Sequence, residues 1–129
     1  TIDRLKIAQR LNEQRPSSLP ALNICIQVNI SNEENKSGVK PDQLIEFAQN
    51  MAALKRLNLR GLMAIPEATD DKQLQRQRFA QLRALYLQVQ AVAPTIDTLS
   101  MGMSGDMEQA IGEGSTMVRI GTDIFGTRT

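Results

Sequence analysis

Residues 100–126, SMGMSGDMEQAIGEGSTMVRIGTDIFG, form the stretch that decides the fold. It holds most of one strand-like segment, 98–102 (TLSMG), and all of a second, 116–120 (TMVRI), each followed by small residues. Apolar and β-branched runs of this length between turn residues are typical of buried strands. If both belong to one parallel barrel, the loops after them meet at its carboxyl end, where such barrels commonly hold phosphate.

Upstream of this stretch, helical and strand-like periodicities alternate. Helices are marked by apolar residues three and four positions apart, and strands by short apolar runs. In chain order, the sequence predicts a helix ending at Pro16, a strand at 22–30, a helix from Pro41 to Leu54, a strand at 59–64, a helix from near Asp70 to Pro94, a strand at 98–102, a short helix capped by Ser104 and ended by Gly114, and a strand at 116–120.

This order predicts an α/β fold with parallel strands and leaves two architectures open, a small doubly wound sheet and half of a (β/α)8 TIM-type barrel. No G-x-G-x-x-G follows the first strand, so the dinucleotide-binding version of the doubly wound fold lacks support. A complete barrel needs eight strands and about 250 residues. Because the chain begins in the middle of a pattern at Thr1, we interpret residues 1–129 as a partial barrel domain of about four βα units.

Composition narrows the class of protein. The chain has 129 residues, a net charge of +1 and 3% aromatic residues, which disfavours nucleic-acid binding. No apolar run approaches the roughly 18 residues of a membrane span. The absence of histidine argues against zinc sites and histidine-based triads, and the single cysteine, Cys25, fits a reducing cytoplasm and predicts a buried, inert thiol.

The two loops offer donors for an anion. Glycine lets backbone N–H groups approach phosphate oxygens closely, and Ser104 and Thr122 add hydroxyls. By alternation, Arg119 shares a face with Met117 and Gly121, and a buried guanidinium needs an acceptor such as a pyridine nitrogen. Simpler interpretations stay open at this point. Ser104 could only cap a helix, Gly121 could only serve a turn, and Arg119 could pair with an aspartate (Asp106 or Asp123).

Four motifs resemble one known family. They are the strand at 24–30 with the following Lys36-Ser37-Gly38, RGLMAI at 60–65, LSMGMSGDM at 99–107, and GSTMVRIGT at 114–122. Together they closely resemble the pyridoxal phosphate homeostasis proteins, and the resemblance covers essentially the whole chain. One departure stands at Gly105, where that family usually has Asp or Glu.

The resemblance implies a barrel related to the N-terminal domain of alanine racemase. It further implies a protein that binds pyridoxal 5′-phosphate, has no established catalytic turnover, and helps to buffer cofactor and amino-acid pools in the cytoplasm. Transferred to matching positions, Ser104, Gly121 and Thr122 would hold the phosphate. Arg119 would face the ring nitrogen, and Met63 would pack near the ring.

The family's Schiff-base lysine lies on a strand before the segment that Thr1 matches, and no lysine here lies on a predicted strand: Lys6, Lys36, Lys40, Lys55 and Lys72. The chain thus matches the C-terminal half of the barrel, without the covalent anchor. We expect it to form an oligomer or to associate with the missing N-terminal half. The Lys36-Ser37-Gly38 loop could have a secondary role at the barrel mouth.

Two other functions stay open. One is a fragment of a fold-type III racemase or decarboxylase, disfavoured because the chain lacks histidine and has a single tyrosine, Tyr86, on a predicted helix. The other is a phosphate-binding half-barrel unrelated to this cofactor.

Overall fold

The structure, a computed structural model, describes residues 1–31 and 37–128. A short 3-10 helix, Pro41–Gln43, leads into the second α-helix, and Lys36 lies outside the described residues. Within these ranges the helices are α1 (Leu5–Gln14), α2 (Leu44–Ala52), α3 (Lys72–Val92), α4 (Met107–Gly112) and α5 (Thr122–Phe125), and the strands are β1 (Leu22–Gln27), β2 (Leu57–Met63) and β3 (Thr98–Ser100).

The strands form a parallel sheet in the order β1-β2-β3. Parallel neighbours need a crossover, which α2 supplies between β1 and β2 and α3 supplies between β2 and β3. The predicted α/β fold with parallel strands is therefore confirmed. Asp71 fixes the start of α3, since its side chain accepts hydrogen bonds from the amides of Gln73 and Leu74.

The main hydrophobic core lies between one face of the sheet and the helices. A row of paired residues, Ile26, Leu62 and Leu99, crosses all three strands, and each is at most 1% exposed. Phe79 and Leu82 of α3 are fully buried in the same cluster. Each such side chain stabilises the fold by about 1.5–3 kcal/mol relative to exposure, so this layer dominates the packing.

A β-bulge in β2 changes which residues face the helices. Ile24 pairs with Leu59 but the next residue, Cys25, pairs with Gly61, so Arg60 is an extra residue. Before the bulge Leu57 and Leu59 pack with the helix-facing core, and after it Leu62 does. Met63, which odd numbering alone would group with Leu59, therefore lies on the opposite face.

Gly61 directly follows the bulge and lies against β3. A Cβ atom built there would lie 1.6 Å from the backbone oxygen of Thr98. That distance is far inside any allowed contact, so only glycine lets the two strands approach this closely.

The predicted strand at 116–120 is wrong. This segment forms one isolated bridge, between Ser100 and Met117, instead of a strand. Backbone bonds such as Met101 N–H to the Met117 oxygen remain, but hydroxyl groups share the pairing: the Thr116 side chain accepts from the Leu99 amide at 2.8 Å, and the Ser115 hydroxyl donates to the Met101 oxygen at 2.6 Å. Such side-chain bonds compete with regular pairing. The direction of the Arg119 side chain therefore does not follow from strand alternation.

Smaller differences concern element ends. Gly114, at φ +101°, follows α4 as predicted, but the four-residue helix α5 between Gly121 and Gly126 was not expected. In the part of the chain that the structure describes, no helix is both long and apolar enough to cross a membrane.

Candidate ligand pocket

An open pocket of about 870 Å³ lies at the carboxyl ends of β2 and β3. Its walls come from the loop after β2, the loop after β3 and the segment 121–128. Three of the predicted site residues, Ser104, Gly121 and Thr122, line it together. The structure thus brings the two predicted phosphate loops to one place, although it does not include Arg119 or Met63 in the lining.

Ser104 does not cap α4, contrary to the prediction. The helix starts only at Met107, because the Asp106 carboxylate accepts from the Met103 amide at 2.7 Å and closes a turn before it. The Ser104 oxygen instead accepts from the amide of Asp123 at 3.2 Å. This bond joins the two loops and leaves the Ser104 hydroxyl proton available to a ligand.

Gly121 and Thr122 present open donors. Within the residues that the structure describes, neither backbone amide donates a hydrogen bond to the protein. A Cβ atom at Gly121 would meet nothing within 4 Å, so the space above its backbone is empty. Two unused amides and a neighbouring hydroxyl form a small concave donor set of the kind that binds anions.

Arg119 extends across the end of β3 toward β2. Its Nη2 donates to the Ala64 oxygen at 3.0 Å, and its backbone amide donates to the Gly102 oxygen at 2.9 Å. Its Nε is buried without an acceptor. Burial lowers the pKa of the Arg119 guanidinium, and the charge of Asp106 raises it, but arginine stays protonated in proteins.

The alternative of a structural ion pair for Arg119 is not supported. Among the described residues, no carboxylate, including those of Asp106 and Asp123, lies within salt-bridge distance of its guanidinium. The unmatched Nε–H therefore remains a donor that a ligand acceptor could satisfy.

Met63 lies on the sheet face opposite the helices. It is 6% exposed but does not belong to the helix-facing cluster, and it pairs with Gln27 on one side and Ser100 on the other. The carbonyl of the next residue, Ala64, is the one that Arg119 binds. The Arg119 side chain therefore binds the backbone of the residue that follows Met63.

Sequence reasoning missed Gln75 and the loop after β2. Gln75 is 7% exposed, lines the pocket and donates to the Thr69 oxygen at 2.6 Å, while its own Oε1 has no partner. A signal was present, because Gln75 lies four residues before Phe79 on the buried stripe of α3. A polar residue in such a stripe indicates a specific hydrogen bond.

The other reactive groups have structural roles. Tyr86 donates its buried hydroxyl to the Ile96 oxygen at 3.1 Å. Cys25 is half-buried instead of buried as predicted, and burial raises the pKa of its thiol, which disfavours a reactive thiolate. Among the described residues no lysine lies on a strand, and no group of three or more potential metal ligands is found.

The whole chain, residues 1–129, matches the family described as "Alanine racemase, N-terminal domain". The chain belongs to this family, whose fold and parallel strands the structure shares.

Within the family, the chain is similar to the proteins that its motifs pointed to. It is 56% identical over 128 residues to the pyridoxal phosphate homeostasis protein of Pseudomonas aeruginosa, covering 99% of this chain and 54% of that protein. The corresponding Escherichia coli protein is 55% identical over 128 residues, with 99% and 55% covered. The predicted resemblance is confirmed, and the chain spans about half the length of these relatives.

A solved structure agrees with the sequence comparisons. PipY of Synechococcus elongatus, solved with pyridoxal phosphate bound, has 31% identity and a TM-score of 0.85. The match covers 97% of this chain and 58% of PipY.

Proposed function

We propose that this chain is the phosphate-binding half of a pyridoxal 5′-phosphate-binding protein that buffers the cofactor without turning over a substrate. The observation that carries the proposal is the open donor set at Gly121 and Thr122, with the Ser104 hydroxyl beside it. The relatives named for pyridoxal phosphate homeostasis and the cofactor in PipY support the identity of the ligand.

The donor set fits a phosphate monoester. Phosphate oxygens accept several short hydrogen bonds, and two adjacent amides with no protein acceptor can supply two of them. The empty space over Gly121 leaves room for an oxygen where a side chain would intrude. Ser104 can donate a third bond while its oxygen continues to accept from Asp123.

Arg119 fits the ring end of the same ligand. Its Nε–H has no acceptor in the described protein, and an aromatic ring nitrogen is such an acceptor. When bound, the cofactor supplies an electron-withdrawing ring, and an arginine at the ring nitrogen keeps that nitrogen unprotonated and the ring a weaker electron sink. Met63, beside the Arg119 anchor at Ala64, would cover the ring.

The half-barrel arrangement follows from the open sheet and the length of the relatives. We infer that residues 1–129 form the C-terminal half of a (β/α)8 barrel and that the covalent lysine belongs to the other half. Apolar side chains near the pocket support a missing cover, since Phe125 is 85% and Ile124 67% exposed. This half should associate with its complement or with other copies, and should bind the cofactor weakly and noncovalently.

Binding without turnover is supported by the position of Tyr86 and by the lack of histidine. Tyr86 donates to Ile96 outside the pocket lining, and of the two carboxylates that line the pocket among the described residues, Asp70 and Asp106, the second already accepts from the Met103 amide. The chain has no histidine. The single, half-buried Cys25 thiol fits a reducing cytoplasm, which we propose as the location.

A side chain introduced at Gly121, beside the donor amides, tests the proposal. In Gly121→Val the added side chain enters empty space at φ −116°, so the fold should tolerate it. We expect affinity for pyridoxal phosphate, measured by equilibrium dialysis, to fall about tenfold or more, which is the size of one to two lost hydrogen bonds.

The matched control is Gly112→Ala at the end of α4, where the new Cβ also meets nothing within 4 Å and lies outside the pocket. Pyridoxal, which lacks the phosphate, should bind equally weakly to the parent and both variants. Equal affinity of the parent and Gly121→Val for pyridoxal phosphate would refute the phosphate assignment.

A further inference from the structure

The loop after β2, residues 64–71, is held in place by side chains that lie outside it. Arg119 donates to the oxygen of Ala64, and Gln75 donates to the oxygen of Thr69. Between these two points, Arg78 Nη1 donates to the oxygen of Glu67 at 2.9 Å. Three side chains from two other segments, α3 and the segment of Arg119, thus fix three carbonyls of one loop, and that loop forms a wall of the pocket through residues such as Ile65 and Ala68.

Glu67 is fixed on two sides. Its amide donates to the Ser31 hydroxyl at 2.9 Å, just beyond β1, and its carbonyl accepts from Arg78. The second nitrogen of Arg78, Nη2, lies 3.6 Å from the Glu67 carboxylate. One guanidinium therefore contacts both the backbone and the side chain of the same residue through two nitrogens, whose relative position its planar fork fixes.

Arg78 can fix Glu67 in place because the helix that carries it is itself well ordered by capping and packing. It projects from α3, whose first turn is capped by Asp71, and its side chain is only 17% exposed. Gln75 lies one turn earlier on the same face, so both donors come from one helix surface. Glu67 itself does not line the pocket, so Arg78 fixes the pocket wall through a residue that lies outside the lining.

We propose that Arg78 is a positioning residue for the ligand pocket: by holding Glu67 from behind, it fixes the wall formed by Ile65, Ala68 and Thr69. This inference rests on the proposed function for the ligand, but the hold itself is a property of the ligand-free protein. A prearranged wall raises affinity because less ordering accompanies binding.

The test compares Arg78→Met with Arg76→Met. Methionine keeps much of the arginine stem and removes the donors, and Arg76 is exposed on the same helix with no hydrogen bond or ion pair among the described residues. In the ligand-free chain, amide hydrogen exchange of Glu67 and Asp71, whose amides donate to the hydroxyls of Ser31 and Thr69, should accelerate in Arg78→Met and stay unchanged in Arg76→Met.

Binding gives the second readout. Affinity for pyridoxal phosphate should fall about fivefold in Arg78→Met, the size of one net hydrogen bond, while affinity for inorganic phosphate stays the same because the phosphate donors lie on other loops. Arg78→Lys should recover only part of the loss. A purely structural role would lower both affinities together with the thermal midpoint.

Two results would overturn the inference: unchanged exchange at Glu67 and Asp71, or equal effects of the Arg78 and Arg76 substitutions. If the parent chain binds no pyridoxal phosphate, the proposed function fails, and the exchange experiment still decides whether Arg78 holds the loop.

Discussion

The two faces of the sheet differ in how completely they are packed. Toward the helices, Ile26, Leu62 and Leu99 form a continuous row with almost no exposure. On the other face, Cys25 and Gln27 are half-buried, while Met63 and Ser100 are buried. Beyond the edge at β3, large apolar side chains such as Phe125 are exposed to solvent.

This contrast separates what the chain can stabilise alone from what needs something further. The helix-facing layer has an interior of ordinary protein density and gives the sheet its stability. The pocket lies at the carboxyl ends of β2 and β3, where the described residues also leave the amides of Gly121 and Thr122 and the Nε of Arg119 without acceptors. Binding capacity therefore lies at one end of the sheet and not in the packed layer.

The largest effect on stability is expected from a substitution that forces β2 and β3 apart. Gly61→Ala would place a methyl group 1.6 Å from the Thr98 oxygen, so β2 and β3 would have to separate. We expect the free energy of unfolding in urea to fall by about 3 kcal/mol or more, the upper range for overpacking.

Gly105→Ala is its control, because the new Cβ meets nothing within 4 Å. Its unfolding midpoint should match that of the parent. Near-parental stability of Gly61→Ala would mean that the two strands are not as close as described.

An intermediate effect is expected on the open face. We predict that the chain alone self-associates through it, and that Phe125→Ser combined with Ile124→Ser shifts the assembly toward monomer in size-exclusion chromatography with light scattering. The exposed apolar area that drives association is largest at these two residues.

Leu87→Ser is the comparison, since Leu87 is 51% exposed on α3, away from the pocket. It should leave the assembly unchanged. A compact monomeric parent chain would contradict the inference that this face needs a cover.

The smallest effect concerns Cys25 on the less packed face. Burial raises the pKa of its thiol above its ordinary value of 9.0, so the folded protein favours the neutral form. Stability from this group is present below the unfolded pKa and is lost as pH rises through the folded one. Parent stability should thus fall more than that of Cys25→Ala between pH 8 and pH 10, by about 1 kcal/mol or less, in urea unfolding. Parallel pH profiles would show that the thiol is solvated.

The sequence predicted the packed face well because periodicity reports burial. The strands at 22–30, 59–64 and 98–102 and the long helix before Pro94 all appear, with ends shifted by a few residues. Asp71 lies one residue past the predicted helix start near Asp70. Apolar spacing carries this information because the hydrophobic effect acts along the whole element.

Near the pocket the secondary structure predicted from the sequence was less accurate, because side-chain hydrogen bonds determine the local structure there. Nothing in the apolar pattern at 116–120 revealed that the hydroxyls of Ser115 and Thr116 would share the pairing with β3 and its neighbouring residues. Similarly, Ser104 has the residue type of a helix cap, but Asp106 delays the helix and Ser104 turns toward Asp123. Local hydrogen bonds between short polar side chains and backbone depend on three-dimensional partners that spacing does not encode. The grouping of Ser104, Gly121 and Thr122 was nevertheless expected from the loop positions.

The extra residue at Arg60 has a consequence for chain length. Residues 57 and 59 contribute to the helix-facing core, whereas 62 does so after the bulge. Deleting Arg60 would remove the extra residue and leave Leu59 and Leu62 facing the helices, with Gly61 and Met63 on the opposite face. The bulge therefore accommodates one added residue without exchanging the two surfaces of the sheet. A relative that lacks this residue would pair regularly along β2 and keep Met63 on the same side.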